Sequence, residues 1–272
     1  RALRKRETLE SEPGRELVLT IDQDAQHVAM ERIKDERRAA VVGLDAQSGE
    51  ILVMASTPSF NPNAIIHGLK DGAWDEIANA EDDPLTNKAI RGQYPPGSTF
   101  KMVTALAGLE AGEISIDEQL RCYGGYSYSR AHFGCWRRGG HGVVNVRRAI
   151  KESCDVFFYT VAERIGISKL SAMGHKLGLG QTYDCGLPLQ KPGVMPTPGW
   201  KRATLGEKWY GGETIIAGIG QGYVLATPLQ LAVMTARIAT GMQIVPRIVR
   251  PYADEKPLDP RPLDIKPEHL AI

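Results

Sequence analysis

The chain has 272 residues, 42% of them apolar and 24% charged, and a formal net charge of +1. That is chain enough for one large buried core, and the near-zero charge gives no support to nucleic-acid binding. No apolar run approaches a membrane span: the longest, such as Ala39-Ala40-Val41-Val42, are strand-sized. The chain opens on Arg1-Ala2-Leu3-Arg4-Lys5-Arg6, with neither an initiator Met nor a signal peptide, and reads as an excised part of a longer protein.

Residues 1–15 are charged and polar and predict a linker. Glu16-Leu17-Val18-Leu19-Thr20-Ile21 predicts a strand, and 23–38 a helix, with Ala25, Val28, Ala29 and Ile33 near helical spacing. Strands over 39–45 and 50–56 flank Ala46-Gln47-Ser48-Gly49, a hairpin turn. Both strands are nearly continuous apolar runs, which predicts a sheet covered on both faces. Residues 58–93 look irregular. A helix over 98–112 follows, closed by Gly112, and 113–142, rich in Gly, Tyr, Arg and Cys, shows little periodicity. Helical patterns resume over 146–150, 155–165 and 168–177, and Pro and Gly dominate 186–200. Thr227-Pro228 opens a helix to Thr240 as N-cap and first helical proline. The tail, 251–268, predicts a surface loop. Strands at one end and helices through the middle predict α+β or α/β order.

The most informative stretch is Ser98-Thr99-Phe100-Lys101, set behind Tyr94-Pro95-Pro96-Gly97. Apolar residues at 102, 105, 106 and 109 put it at the mouth of a helix. Residues three apart share a helix face, so Lys101 is expected to reach the Ser98 hydroxyl. A lysine neutralised by burial can act as base to such a nucleophile. Taken alone, Ser98 reads first as an N-cap and Lys101 as a solvated first-turn residue, and a second motif is needed to reverse that. A second serine, in Ser153-Cys154-Asp155, also stands at a helix start; its hydroxyl could relay a proton, and Asp155 could hydrogen-bond a lysine or a substrate amide, though alone either residue reads first as a plain N-cap.

Together these motifs resemble the serine penicillin-binding proteins, whose signature combines S-x-x-K, S-D-N and K-T-G. The middle motif here reads S-C-D, with Asp155 where the pattern has Asn. Gly92-Gln93-Tyr94-Pro95-Pro96-Gly97-Ser98-Thr99-Phe100-Lys101, Gly139-Gly140-His141-Gly142, Glu152-Ser153-Cys154-Asp155 and Gly218-Ile219-Gly220-Gln221-Gly222-Tyr223 are similar to the penicillin-binding protein 2 family, class B D,D-transpeptidases of the rod-shape elongation machinery. The likeness runs from about Pro13 to Ile272.

The resemblance implies an α+β fold: a central antiparallel sheet flanked by helices, plus an all-helical subdomain. It implies a transpeptidase domain over 16–272 that is incomplete at its C-terminus, because no K-T-G occurs here; Lys191-Pro192-Gly193 has the wrong centre, since Pro cannot donate a ladder bond. It implies Ser98 as nucleophile toward the penultimate D-Ala of a stem pentapeptide, Lys101 as base, Ser153 as proton relay and Asp155 as positioning group. The Ser98 backbone N–H would supply one oxyanion donor. No cofactor is required for this chemistry. The implied partners are the peptidoglycan stem pentapeptide, β-lactam antibiotics, a membrane glycosyltransferase and shape-determining proteins. The implied location is the periplasmic face of the inner membrane, with an anchoring transmembrane helix outside this chain. A β-lactam sensor or scaffold and a serine β-lactamase are the rival readings.

Cys122, Cys135, His141 and Cys154 form C-x12-C-x5-H-x12-C in the Gly-rich segment. Three thiolates and an imidazole match a closed structural zinc, which would pin the second motif through Cys154. Relatives with zinc at this place use carboxylates at some of these positions, as the resemblance implies. The alternatives are a Cys122–Cys135 disulfide with Cys154 buried, and His132 as the fourth ligand. Cys185 reads as a buried small residue. Gly220-Gln221-Gly222-Tyr223 lacks the following Lys-Ser/Thr of a phosphate loop and reads as a site of close backbone packing. Trp136, Trp200, Trp209 and Tyr210 could line a groove or simply pack, and Arg137 and Arg138 read as a solvated face.

Overall fold

The computed structural model describes residues 13–14, 16–66, 68, 72–251 and 260–272. The linker expected over 1–15 lies almost wholly outside these residues, as do positions 252–259 of the expected tail loop.

The first helix, α1 (Gln23–Ile33), starts where Asp22 accepts the Ala25 N–H at 2.9 Å. It stops at Ile33, short of the expected Arg38, because Lys34-Asp35-Glu36-Arg37-Arg38 offers no apolar face; Arg37 and Arg38 turn instead to Asp82. Antiparallel strands β1 (Ala39–Leu44) and β2 (Ile51–Thr57) form the expected hairpin. Ala39, Val41, Val53 and Ala55 pack with α1, whereas Val42, Leu44 and Met54 pack with Leu229 and Val233. The sheet is thus covered on both faces. The strand expected over 16–21 reduces to one bridge, Leu19 to Val249, which leaves Leu17, Val18 and Leu19 half exposed.

Short helices α2 (Pro62–Ile66), α3 (Ala73–Ala78) and α4 (Lys88–Arg91) punctuate the stretch expected to be irregular. A 3-10 turn, Gly97–Phe100, runs into α5 (Lys101–Glu110). The aperiodic 113–142 segment holds three strands too short to show alternation, β3 (Leu120–Cys122), β4 (Gly125–Tyr128) and β5 (Ala131–Gly134), and a fourth, β6 (Gly142–Val144), starts at its end. They pair antiparallel as β3–β6 and β4–β5. After α6 (Val146–Lys151), the two helices expected over 155–177 follow one another within α7 (Asp155–Lys176), parted at Gly166, whose φ of 73° and ψ of 163° are non-helical. Helix α8 (Pro198–Leu205) lies at the end of the Pro/Gly-rich stretch, capped by Thr197, opened by Pro198 and closed by Gly206. Helices α9 (Gly211–Ala217), α10 (Pro228–Thr240) and α11 (Pro267–Leu270) complete the order. α10 carries the Leu229 and Val233 that cover the sheet, and opens with a Thr227/Gln230 capping box.

The main core lies between α5, α7 and α9. Gly108 lets α7 approach α5 closely: a Cβ there would stand 2.7 Å from Val161 Cγ1. Phe100, Phe157 and Phe158 are buried in this core, each contributing on the order of 2–3 kcal/mol by removal from water. Phe100 thereby anchors the turn that carries Ser98.

Candidate active site

The turn bearing Ser98 is held from behind. Gly97 takes φ 57°, and its N–H donates to the Gly220 carbonyl at 2.9 Å. Tyr94 and Ala226 exchange two backbone hydrogen bonds of 2.9 Å. Gly220 takes φ 70°, and a Cβ on it would lie 2.4 Å from the Gly97 carbonyl oxygen. The Gly218–Tyr223 motif is therefore a packing element against the turn. With Phe100 buried and the chain pinned at Gly97, Ser98 is left exposed at the surface.

Lys101 is 2% exposed, which excludes the reading as a solvated first-turn residue. Its Nζ donates to Asp155 Oδ1 at 2.6 Å, Ser153 Oγ at 2.9 Å and the Ser153 carbonyl at 3.0 Å. Three acceptors thus surround the Lys101 Nζ. The expected direct contact between Lys101 and Ser98 is not made. Ser153 stands between them, and its Oγ donates to Ser98 Oγ at 2.9 Å. Nor does the Ser98 side chain cap the turn; its neighbour Thr99 does the local work, donating to the Pro96 carbonyl at 2.8 Å.

The second motif owes its shape to one residue in an unusual conformation. Ser153 takes φ 53°, a left-handed geometry that costs an L residue about 1–2 kcal/mol. The turn brings the Ser153 carbonyl and hydroxyl to the same lysine. Cys154 is the N-cap of α7 without a side-chain cap, and Asp155 is the first helical residue. Asp155 is thus not an N-cap; its carboxylate accepts from Lys101 on one oxygen and from the Trp136 backbone N–H, at 3.0 Å, on the other. The indole Nε1 of Trp136 donates to the carbonyls of Glu152 and Ser153, each at 3.1 Å. Trp136 is the residue whose place at this site the sequence did not specify, its one signal being adjacency to Cys135. Arg137 and Arg138 are exposed, as expected, with Arg137 3.9 Å from Glu152.

Cys122, Cys135, His141 and Cys154 come together beside this motif. All four are buried, and their ligand atoms lie within 4.8 Å of one another. His141 Nδ1 is 3.6 Å from Cys122 Sγ and 3.5 Å from Cys135 Sγ. The cysteines are free, so the Cys122–Cys135 disulfide is not formed. His132 is not among the clustered residues and meets Ser127 Oγ at 3.2 Å. Burial, with Cys122 and Cys135 adding to it, pushes the Cys154 thiol up to about 12. Cys185 lies apart in the core beside Tyr183 and Leu229.

The remaining aromatic residues pack. Trp200 and Trp209 meet the Tyr223 ring at 5.5 and 6.2 Å, and Trp209 Nε1 donates to Thr214 Oγ1 at 2.8 Å. Lys201, 1% exposed, sits under Tyr210 and Tyr223 and pairs with Glu213 and Glu207.

Comparison with known proteins gives concordant matches. The family described as penicillin binding protein transpeptidase domain matches residues 39–271. Peptidoglycan D,D-transpeptidase MrdA of Acinetobacter baumannii is 39% identical over 251 residues, 91% of this chain and 37% of that protein. The Escherichia coli K12 protein of the same name is 36% identical over 258 residues, 94% of this chain and 41% of that protein. The chain therefore spans about two fifths of the length of these curated relatives. A crystal structure of Pseudomonas aeruginosa PBP2 in complex with WCK 5153 superposes with a TM-score of 0.87 at 38% identity, covering 95% of this chain and 60% of that one. PBP2 of Helicobacter pylori, in its complex with MreC, gives 0.86 at 32%, covering 94% and 47%.

Proposed function

The chain belongs to the penicillin-binding protein transpeptidase family, and from that premise we propose that it carries the nucleophilic half of a peptidoglycan D,D-transpeptidase. The observation behind this reading is the unbroken hydrogen-bonded series Ser98–Ser153–Lys101–Asp155. Ser98 Oγ attacks the carbonyl of the penultimate D-Ala of a stem pentapeptide. Its proton leaves through the Ser153 hydroxyl toward the Lys101 amine, and passes on to the amine of the departing terminal D-Ala. The acyl-enzyme is then resolved by the side-chain amine of a second stem. Asp155 fixes Lys101 in line with Ser153, and the Ser98 N–H serves as one oxyanion donor. The lysine that grips the substrate carboxylate and the second oxyanion donor come, in this proposal, from outside these 272 residues, as does a membrane anchor. β-Lactams acylate Ser98 as substrate mimics.

The elongation role follows the relatives: one solved PBP2 is in complex with MreC and another match is a peptidoglycan synthase complex. We extend to this chain a periplasmic location, a shape-determining partner and a membrane glycosyltransferase. The test is cross-linking by the full-length protein on lipid-linked pentapeptide. Release of D-Ala and cross-link formation that vanish in Ser98→Ala support the reading. Labelling by penicillin without cross-linking would favour a sensor, and rapid hydrolysis of the acyl-enzyme a β-lactamase.

We also propose that Cys122, Cys135, His141 and Cys154 hold a structural zinc. Zn–S of about 2.3 Å and Zn–N of about 2.0–2.1 Å in a tetrahedron set an S···N edge of about 3.5–3.6 Å. The two S···N distances at His141 are 3.6 and 3.5 Å. The donor set is closed, buried and leaves no open position for chemistry, so the ion would act by fixing Cys154 between Ser153 and Asp155.

A further inference from the structure

Trp136 has no part in the chemistry proposed above, yet it makes three hydrogen bonds to the second motif. It lies in the loop between β5 and β6 and is 64% exposed, so burial gives it little reason to be tryptophan. What the structure uses are its two N–H groups. The backbone N–H donates to Asp155 Oδ2 at 3.0 Å, a bond that any non-proline residue could make. The indole N–H is particular to tryptophan, and it donates to the carbonyls of Glu152 and Ser153 at 3.1 Å each. Lys101 shares two of these acceptors, bonding the other oxygen of Asp155 at 2.6 Å and the same Ser153 carbonyl at 3.0 Å.

The Ser153 peptide needs such a hold. Its φ of 53° is one that L residues avoid. If the peptide relaxed to negative φ, the hydroxyl would leave its 2.9 Å contact with Ser98. The ring itself is braced edge-on by His141, centroid to centroid 5.3 Å, so the donor is presented from a fixed frame.

We propose that Trp136 is a positioning residue for acylation: its indole N–H holds the Ser153 peptide in the left-handed turn that aims the Ser153 hydroxyl at Ser98. This rests on the reading of Ser98 as the acylated nucleophile. Trp136→Phe keeps an aromatic ring and the backbone donor and removes the indole N–H together with the smaller ring of the bicycle; 3-benzothienylalanine keeps the bicycle and removes the N–H.

The experiment follows acylation by a fluorescent penicillin in the full-length protein. Non-covalent affinity and the first-order acylation constant are measured separately for the parent, Trp136→Phe, Ser153→Ala and the double variant. Trp136→Phe is expected to lower the acylation constant about tenfold, the worth of one hydrogen bond in the transition state, with affinity unchanged. In the Ser153→Ala background the same substitution should cost nothing further, because the hydroxyl it aims is gone. No loss in the single variant, or an equal loss in both backgrounds, would overturn the proposal. Should Trp136→Phe fail to fold, replacement by 3-benzothienylalanine, whose ring sulfur stands where the N–H is, must give the same loss; parent-like acylation would overturn it. A parent that does not acylate at all would overturn the reading of Ser98 and this proposal with it, whereas an acylating parent with indifferent variants overturns this proposal alone.

Discussion

The hydroxyls of Ser98 and Ser153 meet at 2.9 Å although 55 positions separate them in the chain. The contact depends on two turns with positive φ, at Gly97 and at Ser153. One presents Ser98 to solvent, and the other turns the second serine back onto a buried lysine. The distance between hydroxyls is thus set by backbone conformation, and substitutions that alter either turn should register in acylation.

Two substitutions at Ser153 separate conformation from chemistry. Ser153→Ala and Ser153→Gly both remove the hydroxyl proposed as the relay, and both are expected to slow acylation by about 10²-fold or more. They should differ in stability. Glycine takes φ 53° freely and alanine does not, so Ser153→Gly should be more stable by about 1 kcal/mol. Urea denaturation of the pair checks this, and an alanine variant at least as stable as the glycine variant would contradict the assigned turn.

Gly220→Ala tests the other turn. The substitution places a Cβ at φ 70° and 2.4 Å from the Gly97 carbonyl oxygen. A loss of at least ~1–2 kcal/mol is expected from the left-handed residue alone, together with slowed acylation of Ser98. Thermal melting and penicillin-labelling rates, measured on one preparation, should fall together.

The pair Lys201–Glu213 predicts a pH dependence. The hydrogen bond to Glu213 raises the Lys201 pKa above its ordinary value against the opposing effect of burial, and Glu207 adds to it. A raised folded-state pKa stabilises fully below the unfolded-state value of about 10.4 and fades as pH rises beyond it. Glu213→Gln should therefore lower the melting temperature by a constant amount from pH 7 to about 10, with the gap to the parent closing only at higher pH. A gap that closes between pH 7 and 9 would contradict this.

For the Cys/His cluster, protein purified without a histidine tag is expected to hold about one zinc per chain. Strong chelation should lower the melting temperature and slow acylation without changing the Ser98 residue itself. Cobalt substitution should give a thiolate-to-metal charge-transfer band that is weakened in Cys154→Ser. Less than half an equivalent of zinc would contradict the assignment.

Much of this arrangement was legible as residue types at spacings. S-x-x-K, S-C-D and the Cys/His series each name side chains that the fold brings together, and the β1–β2 hairpin and α10 were written in apolar runs and caps. Helix α8 could also have been read, from Thr197, Pro198 and Gly206, but the surrounding prolines and glycines hid it. Strands β3 to β6 span three or four residues each, too few for alternation to emerge, and they exist by pairing with one another. The bond that Lys101 makes to Ser153 in place of Ser98 was not legible, because it depends on the left-handed turn at Ser153, a conformation that no serine announces. Trp136 was hidden for a similar reason: its indole reaches carbonyls 16 and 17 positions away, across two chain segments with no shared periodicity.

The claim on which the rest depends is that Ser98 is the acylated nucleophile. Incubating the full-length protein with a β-lactam, digesting with trypsin and mapping the adduct by mass spectrometry tests it directly. The adduct is expected on the peptide running from Gly92 to Lys101, with fragmentation assigning it to Ser98 rather than Thr99. An adduct on any other residue, or none under conditions that acylate a known transpeptidase, would contradict the account.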